Sequence, residues 1–235
     1  MRDDTVLEIS GLEGSYGESQ ILHGVAFSIR RGEVVTLIGR NGAGKSTTLR
    51  AIMGILAKRR GSIIVMGTET IHLPSEKIAR LGIGYVPEER GIFASLSVME
   101  NLFLPPQLKT GGMTEDEIYR IFPNLQERAR SPGSRLSGGE QQMLAIARVL
   151  RTGADFLILD EPTEGLAPVI VAQIGEVLQA IKRRGMTVLL VEQNFHFAKG
   201  VADRHYIMES GKVVDTIAGS EIEGKMQRIE QYLGV

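Results

Sequence analysis

Apolar positions along this chain follow two rhythms. Short β-branched runs recur at 6–10 (VLEIS), 34–38 (VVTLI), 62–66 (SIIVM), 156–160 (FLILD) and 187–191 (TVLLV). Several are apolar throughout rather than alternating, which predicts strands covered on both faces, as in a parallel sheet flanked by helices. Elsewhere the helical period takes over. In VIVAQIGEVLQAIKR, Val169, Ile170, Ile174, Val177, Leu178 and Ile181 share one face and predict a core-packed helix. From 88 to 135 no strand is predicted: PP at 105–106, GG at 111–112 and a polar helical pattern from Thr114 to Arg130 read as a helical lobe inserted into an α/β core. A short amphipathic helix is expected over 221–235.

RLSGGEQQ at 135–142 is a helix start of unusual composition. Ser137 suits the N-cap, and Glu140 completes a Ser-x-x-Glu capping box. Between them lie Gly138 and Gly139, each costing a helix roughly 1 kcal/mol relative to alanine. A helix start cleared of side chains is an anion site, because its free N–H groups and positive dipole end point outward.

A second phosphate signal is stronger. GRNGAGKST at 39–47 fits G-x-x-x-x-G-K-[ST] through Gly39, Gly44, Lys45 and Ser46, after an apolar strand and before the helical pattern TTLRAIMGIL. Its glycines let backbone N–H groups wrap phosphate oxygens, Lys45 brings charge to the β- and γ-phosphates, and the Ser46 hydroxyl suits Mg²⁺. FLILDEP at 156–162 supplies carboxylates at a strand's C-terminal end, where ligands sit in open α/β sheets. Asp160 is placed to hold Mg²⁺, and Glu161 to accept a proton from an attacking water.

Charge and composition remove other classes. The formal net charge is −1, so no global positive field draws the chain to nucleic acid or anionic lipid. There is no cysteine, which removes disulfides and thiolate metal sites. The opening MRDDTVLEIS has no apolar stretch of signal-peptide length, and runs such as VLLV at 188–191 fall far below the ~20 residues of a membrane helix. No direct membrane insertion is expected, so work at a membrane would pass through a partner. His23, His72, His196 and His205 show no ligand spacing, and KRRG at 58–61 reads as a solvated turn.

Taken together, these motifs resemble the ATP-binding subunits of ABC transporters, over essentially the entire chain to a last strand pair near 204–217. LSGGEQQ at 136–142 looks like that family's signature sequence. The resemblance implies an α/β phosphate-loop NTPase core with a mixed, largely parallel sheet, an N-terminal antiparallel β region and an inserted helical lobe. The core would span 1–87 and 136–235, and the lobe 88–135, running on through the signature helix to about residue 152. It implies ATP and Mg²⁺ as ligands, Arg40, Asn41, Gly42, Ala43 and Thr47 as further members of the nucleotide loop, and Tyr16 as an adenine-stacking residue. Two cassettes would pair head to tail, with Ser137, Gly138 and Gly139 of one chain completing the other's site.

Two positions depart from the family pattern. Glu88, in YVPEER, stands where a glutamine senses Mg²⁺ and the γ-phosphate; a carboxylate there can ligate metal but repels phosphate without it. Gln193, in LLVEQN, replaces a switch histidine; it can donate a hydrogen bond to the γ-phosphate but cannot become a cation. Pro-Glu-x-Arg, Glu-Gly-Leu-Ala-Pro and Val-Glu-Gln-Asn narrow the resemblance to ATPase subunits of branched-chain amino acid importers, with importers of urea or short amides close behind. The implied partners are transmembrane permease subunits docked on the lobe between Phe93 and Phe122 and, indirectly, a solute-binding protein. The implied place is the cytoplasmic face of the cell membrane. Soluble cassette ATPases acting on DNA or ribosomes usually carry long coiled coils or two cassettes, and a small-molecule kinase would leave LSGGE and Glu161 without a role.

Overall fold

The computed structural model describes residues 4–233. Its centre is built from the wholly apolar runs. Strands β3 (Val34–Ile38), β7 (Phe156–Asp160) and β8 (Thr187–Glu192) are buried at every position, as strands covered on both faces must be. With β6 (Ile83–Val86), β9 (Arg204–Glu209) and β10 (Lys212–Ala218) they form a six-stranded sheet ordered β10-β9-β3-β8-β7-β6. All neighbours run parallel except the β9–β10 hairpin.

A second, antiparallel sheet has the order β2-β1-β4-β5, from β1 (Thr5–Tyr16), β2 (Ser19–Arg30), β4 (Lys58–Val65) and β5 (Thr68–Glu69). Helix α1 (Lys45–Ile52) touches β1 and β2 of this sheet and β7 of the other, and its Leu49 and Ile52 share one apolar cluster with Leu7, Leu12, Leu22 and Leu37. KRRG at 58–61 is not a solvated turn. It opens β4 and pairs with Glu13, Gly14 and Ser15 of β1, a ladder whose partner lies too far off in sequence for local pattern to reveal.

After α2 (Ser75–Ala79) and β6 the chain turns helical: α3 (Val98–Phe103), α4 (Glu115–Ile121), α5 (Pro123–Glu127) and α6 (Gly138–Leu150). Among the described residues no strand lies between β6 and β7, only a single bridge from Ser97 to Pro132. The pattern from Thr114 to Arg130 becomes two helices rather than one. Phe122 leaves helical geometry at φ −125°, ψ 68°, and Pro123 starts the next helix where its missing N–H costs nothing. Leu102, Ile118, Phe122 and Leu125 then pack against Met143, Leu144 and Ile146 of α6.

Helix α7 (Pro168–Arg183) buries Ile174, Val177, Leu178 and Ile181 as its spacing predicts. Val169 departs from that face and is 64% exposed. Its neighbour Ile170 is the residue that packs inward, toward Gly139, and one step round a helix turns Val169 away. Helix α8 (Phe195–Val201) follows β8, and α9 (Met226–Leu233) seats Ile229 against Phe195, Ala198 and Ile217.

Candidate active site

Strand β3 delivers the chain at Ile38 into the loop 39–44, which enters α1 through Gly44 at φ +105°, a backbone that glycine adopts without penalty. No side chain caps α1, so its first N–H groups stay available to an anion. Lys45 is buried, and its Nζ donates to Gly39 O at 2.9 Å and Arg40 O at 3.3 Å while pairing with Glu161 Oε1 at 3.1 Å.

The acids come from the end of β7. Ser46 Oγ donates to Asp160 Oδ1 at 2.9 Å, and Tyr85 OH to Asp160 Oδ2 at 3.4 Å. Burial pushes the Asp160 carboxyl up to about 6 against the Ser46 hydrogen bond, with the charges of Glu161 and Glu88 adding to the rise. The Tyr85 phenol is pushed up by burial and by Asp160. Glu161 sits in the left-handed region at φ +45°, a conformation costing of order 1–3 kcal/mol unless the surroundings fix it. Its N–H is held by Val191 O at 3.0 Å, so β8 aims this residue. Glu164 is pushed up chiefly by sharing a hydrogen bond with Glu161.

Tyr16, Asn41, Gly42, Gly44, Lys45, Ser46, Thr47, Glu88 and Glu161 line one cleft of about 420 Å³, together with Ile21 and Glu164, which the sequence does not single out. Tyr16 is half exposed at its edge, and its hydroxyl accepts from Arg50 at 3.4 Å. Asp160 lies buried beneath, reached through Ser46, and Ala43 is buried in the loop. Among the described residues no three His, Asp or Glu side chains converge as a metal site; Glu88 lines the cleft with Ser46, and its charge adds to the rise of Asp160. The hydroxyl of Ser46 and the carboxylate of Asp160 are nonetheless hard oxygen donors of the kind Mg²⁺ takes when a nucleotide supplies the rest. A larger groove of about 830 Å³ between α7 and α8 is lined by Val171, Ala172, Gly175 and Phe197 and holds none of these groups.

Other sequence candidates stand apart from the cleft. Arg40 is exposed, and its Nε donates to Tyr232 O of α9 at 3.1 Å. Gln193 is exposed just beyond β8. Ser137, Gly138 and Gly139 open α6, where Ser137 and Glu140 form the expected capping box. The two glycines have different reasons. A Cβ on Gly139 would lie 2.9 Å from Ile170, so this glycine serves packing within its own chain, whereas one on Gly138 would meet the flexible Arg90 guanidinium first, at 3.3 Å. Ser137 is exposed, so the helix start presents Ser137 and Gly138 outward beside a cation.

Glu192 is the functional candidate the sequence reading passes over. It is 2% exposed, and its carboxylate accepts from Thr163 Oγ1 at 2.9 Å and from the Asn194 N–H at 3.2 Å. A signal was present: TVLLVE ends in an acid just as FLILD does.

A phosphate-wrapping loop between a parallel strand and a helix, with two acids at the end of β7, the next strand but one in the same sheet, defines a phosphate-loop nucleotide hydrolase. The ABC transporter family model matches residues 22–164, and the chain belongs to that family. It is 43% identical over 227 residues to the high-affinity branched-chain amino acid transport ATP-binding protein BraG of Pseudomonas aeruginosa, covering 93% of this chain and 95% of that one. It is 33% identical to the lipopolysaccharide export system ATP-binding protein LptB of Haemophilus influenzae, covering 98% of each. Among solved structures, a dimeric post-hydrolysis state of an ATP-binding cassette bound to ADP and Pi superposes with a TM-score of 0.78 at 25% identity, covering 90% of this chain and 98% of that one. The chain is therefore an ABC transporter ATPase subunit with the cassette fold. Among the described residues no helix is long and apolar enough to cross a membrane.

Proposed function

We propose that this chain powers a branched-chain amino acid importer by ATP-driven pairing of two cassettes at the cytoplasmic face of the cell membrane. The near full-length similarity to BraG carries the choice of solute. The similarity to LptB favours an export subunit as the second reading.

The site residues divide the work as follows. Loop N–H groups at 39–44 and Lys45 hold the triphosphate, and Tyr16 stacks on adenine. Mg²⁺ held by Ser46 and Asp160 would neutralise charge building on the β- and γ-phosphates. Glu161 takes the proton of the attacking water, and Gln193 donates to the γ-phosphate. Ser137 and Gly138 of a second chain bring their helix start to the same phosphate, which makes ATP the glue of the pair. Phe93, Met99, Phe103 and Leu104, each at least 42% exposed on the helical insert, offer permease subunits an apolar surface.

The solution mass of the Glu161→Gln protein, with and without MgATP, tests the pairing, and an ATP-dependent step from monomer to dimer is the expected result. Uptake of leucine, isoleucine and valine against urea and short amides, in cells lacking the chain, tests the solute. Loss of urea or amide uptake alone would reject the amino-acid assignment.

A further inference from the structure

Three segments meet at the end of β8: the entry to the phosphate loop, the turn after the acids and the chain beyond β8. Glu192 pairs in register with Ile38, the last residue before the phosphate loop. The preceding residue, Val191, holds the Glu161 N–H through its carbonyl. The Glu192 side chain reaches forward to the loop after the acids, where the Thr163 hydroxyl and backbone N–H both donate to it, and along its own chain to the Asn194 N–H. Gln193 lies in the chain between Glu192 and Asn194, the two ends of the last of these contacts.

This is a costly way to fill space. Among the described residues no cation pairs with Glu192, and burial pushes its carboxyl up to about 7. A neutral side chain of the same shape would avoid the desolvation of a carboxylate, so packing alone does not account for the acid. A carboxylate does have one property a glutamine lacks: both oxygens accept, so it can bind donors from two segments at once.

We propose that Glu192 is a positioning residue for ATP hydrolysis, tying the Thr163 loop to the Gln193 segment so that both keep one geometry toward the γ-phosphate. This rests on the reading of Gln193 as a γ-phosphate contact. In Glu192→Gln the amide NH₂ must face the N–H of either Thr163 or Asn194; the Thr163 hydroxyl can turn to accept from it, but that N–H loses its acceptor, which weakens one of the two ties while keeping volume.

Steady-state MgATP hydrolysis by the full chain, with thermal unfolding as a control, provides the test. Glu192→Gln and Thr163→Val are each expected to lower kcat roughly tenfold with KM for ATP held within about twofold. The double variant should be no worse than either, and Thr163→Ser, which keeps the hydroxyl, should restore kcat. Normal kcat in Glu192→Gln, or losses that multiply in the double variant, would overturn the coupling. Should Glu192→Gln fail to fold, equal kcat for Thr163→Val and Thr163→Ser would overturn it instead. Gln193→Ala, assayed alongside, separates the two ideas. Full activity there removes the γ-phosphate reading and the proposal with it, whereas loss there without loss in Glu192→Gln removes the proposal alone.

Discussion

Lys45 Nζ lies 3.1 Å from Glu161 Oε1, and both side chains are less than a tenth exposed. In the proposed site, the cation that would serve a γ-phosphate and the acid that would serve as base thus hold each other. A triphosphate that takes Lys45 would compete with Glu161 for its ammonium. On that reading, nucleotide binding would release the acid.

Replacing the acid separates the two effects. Glu161→Gln should cut turnover by roughly 10² to 10⁴. Because the amide competes less well than a carboxylate for the ammonium, ATP affinity should rise roughly three- to tenfold. Nucleotide titration beside a turnover assay checks both. Weaker ATP binding in Glu161→Gln would mean that the ion pair does not compete with phosphate.

The helix start at α6 makes a prediction about pairing. Ser137 is exposed and accepts the Glu140 N–H, so Ser137→Arg adds bulk on the outward side and removes a cap worth about 1 kcal/mol. Ser137→Ala removes only the cap. In the Glu161→Gln background, Ser137→Arg should stay monomeric with MgATP while Ser137→Ala still dimerises, and both should bind ATP as the parent does. Dimerisation of the arginine variant would place this helix outside the contact.

Helix α6 lays the Val149 side chain directly on the backbone of strand β6 at Gly84. A Cβ built on Gly84 would stand 2.0 Å from Val149 Cγ1. Gly84→Ala should therefore cost about 1–3 kcal/mol of stability through overpacking. Val149→Ala should relieve much of that cost when combined with it, giving a non-additive cycle in urea unfolding. An additive cycle would mean that the strain falls elsewhere.

The sequence was most informative where one segment satisfies itself. The runs VVTLI and FLILD are strands from end to end, and Ser137 caps its helix with Glu140, because burial on both faces and a capping box are local properties. Features that depend on a distant partner were not legible. KRRG needs β1 to become a strand, and Gly139 needs Ile170 to explain its missing side chain. Glu192 shows the same limit in the site itself: an acid after an apolar run reads alike whether it faces solvent or Thr163, and only the fold separates them.

One buried pair gives stability a defined dependence on pH. Thr36 of β3 and His205 of β9 face each other in register, both fully buried, with Thr36 Oγ1 2.6 Å from His205 Nδ1. Among the described residues His205 Nε2 has no hydrogen-bond partner, and burial pushes the imidazole down to about 4 against the pull of Asp203. An unfolded histidine takes its proton near pH 6.5, so between about 6.5 and 4 the unfolded chain binds more protons than the native one. The contribution of neutral His205 is complete above that window and is lost as pH falls through it, by up to about 3 kcal/mol. Asp160 and Glu192 are shifted upward and act in the opposite direction, so the comparison must be with a variant rather than with pH alone. His205→Leu leaves the Thr36 hydroxyl short of a partner at every pH, which sets a constant offset. On that offset its deficit against the parent should shrink from about pH 7.5 to about pH 5 in urea unfolding. Parallel curves for the two proteins would mean that His205 takes up its proton in the folded state without cost.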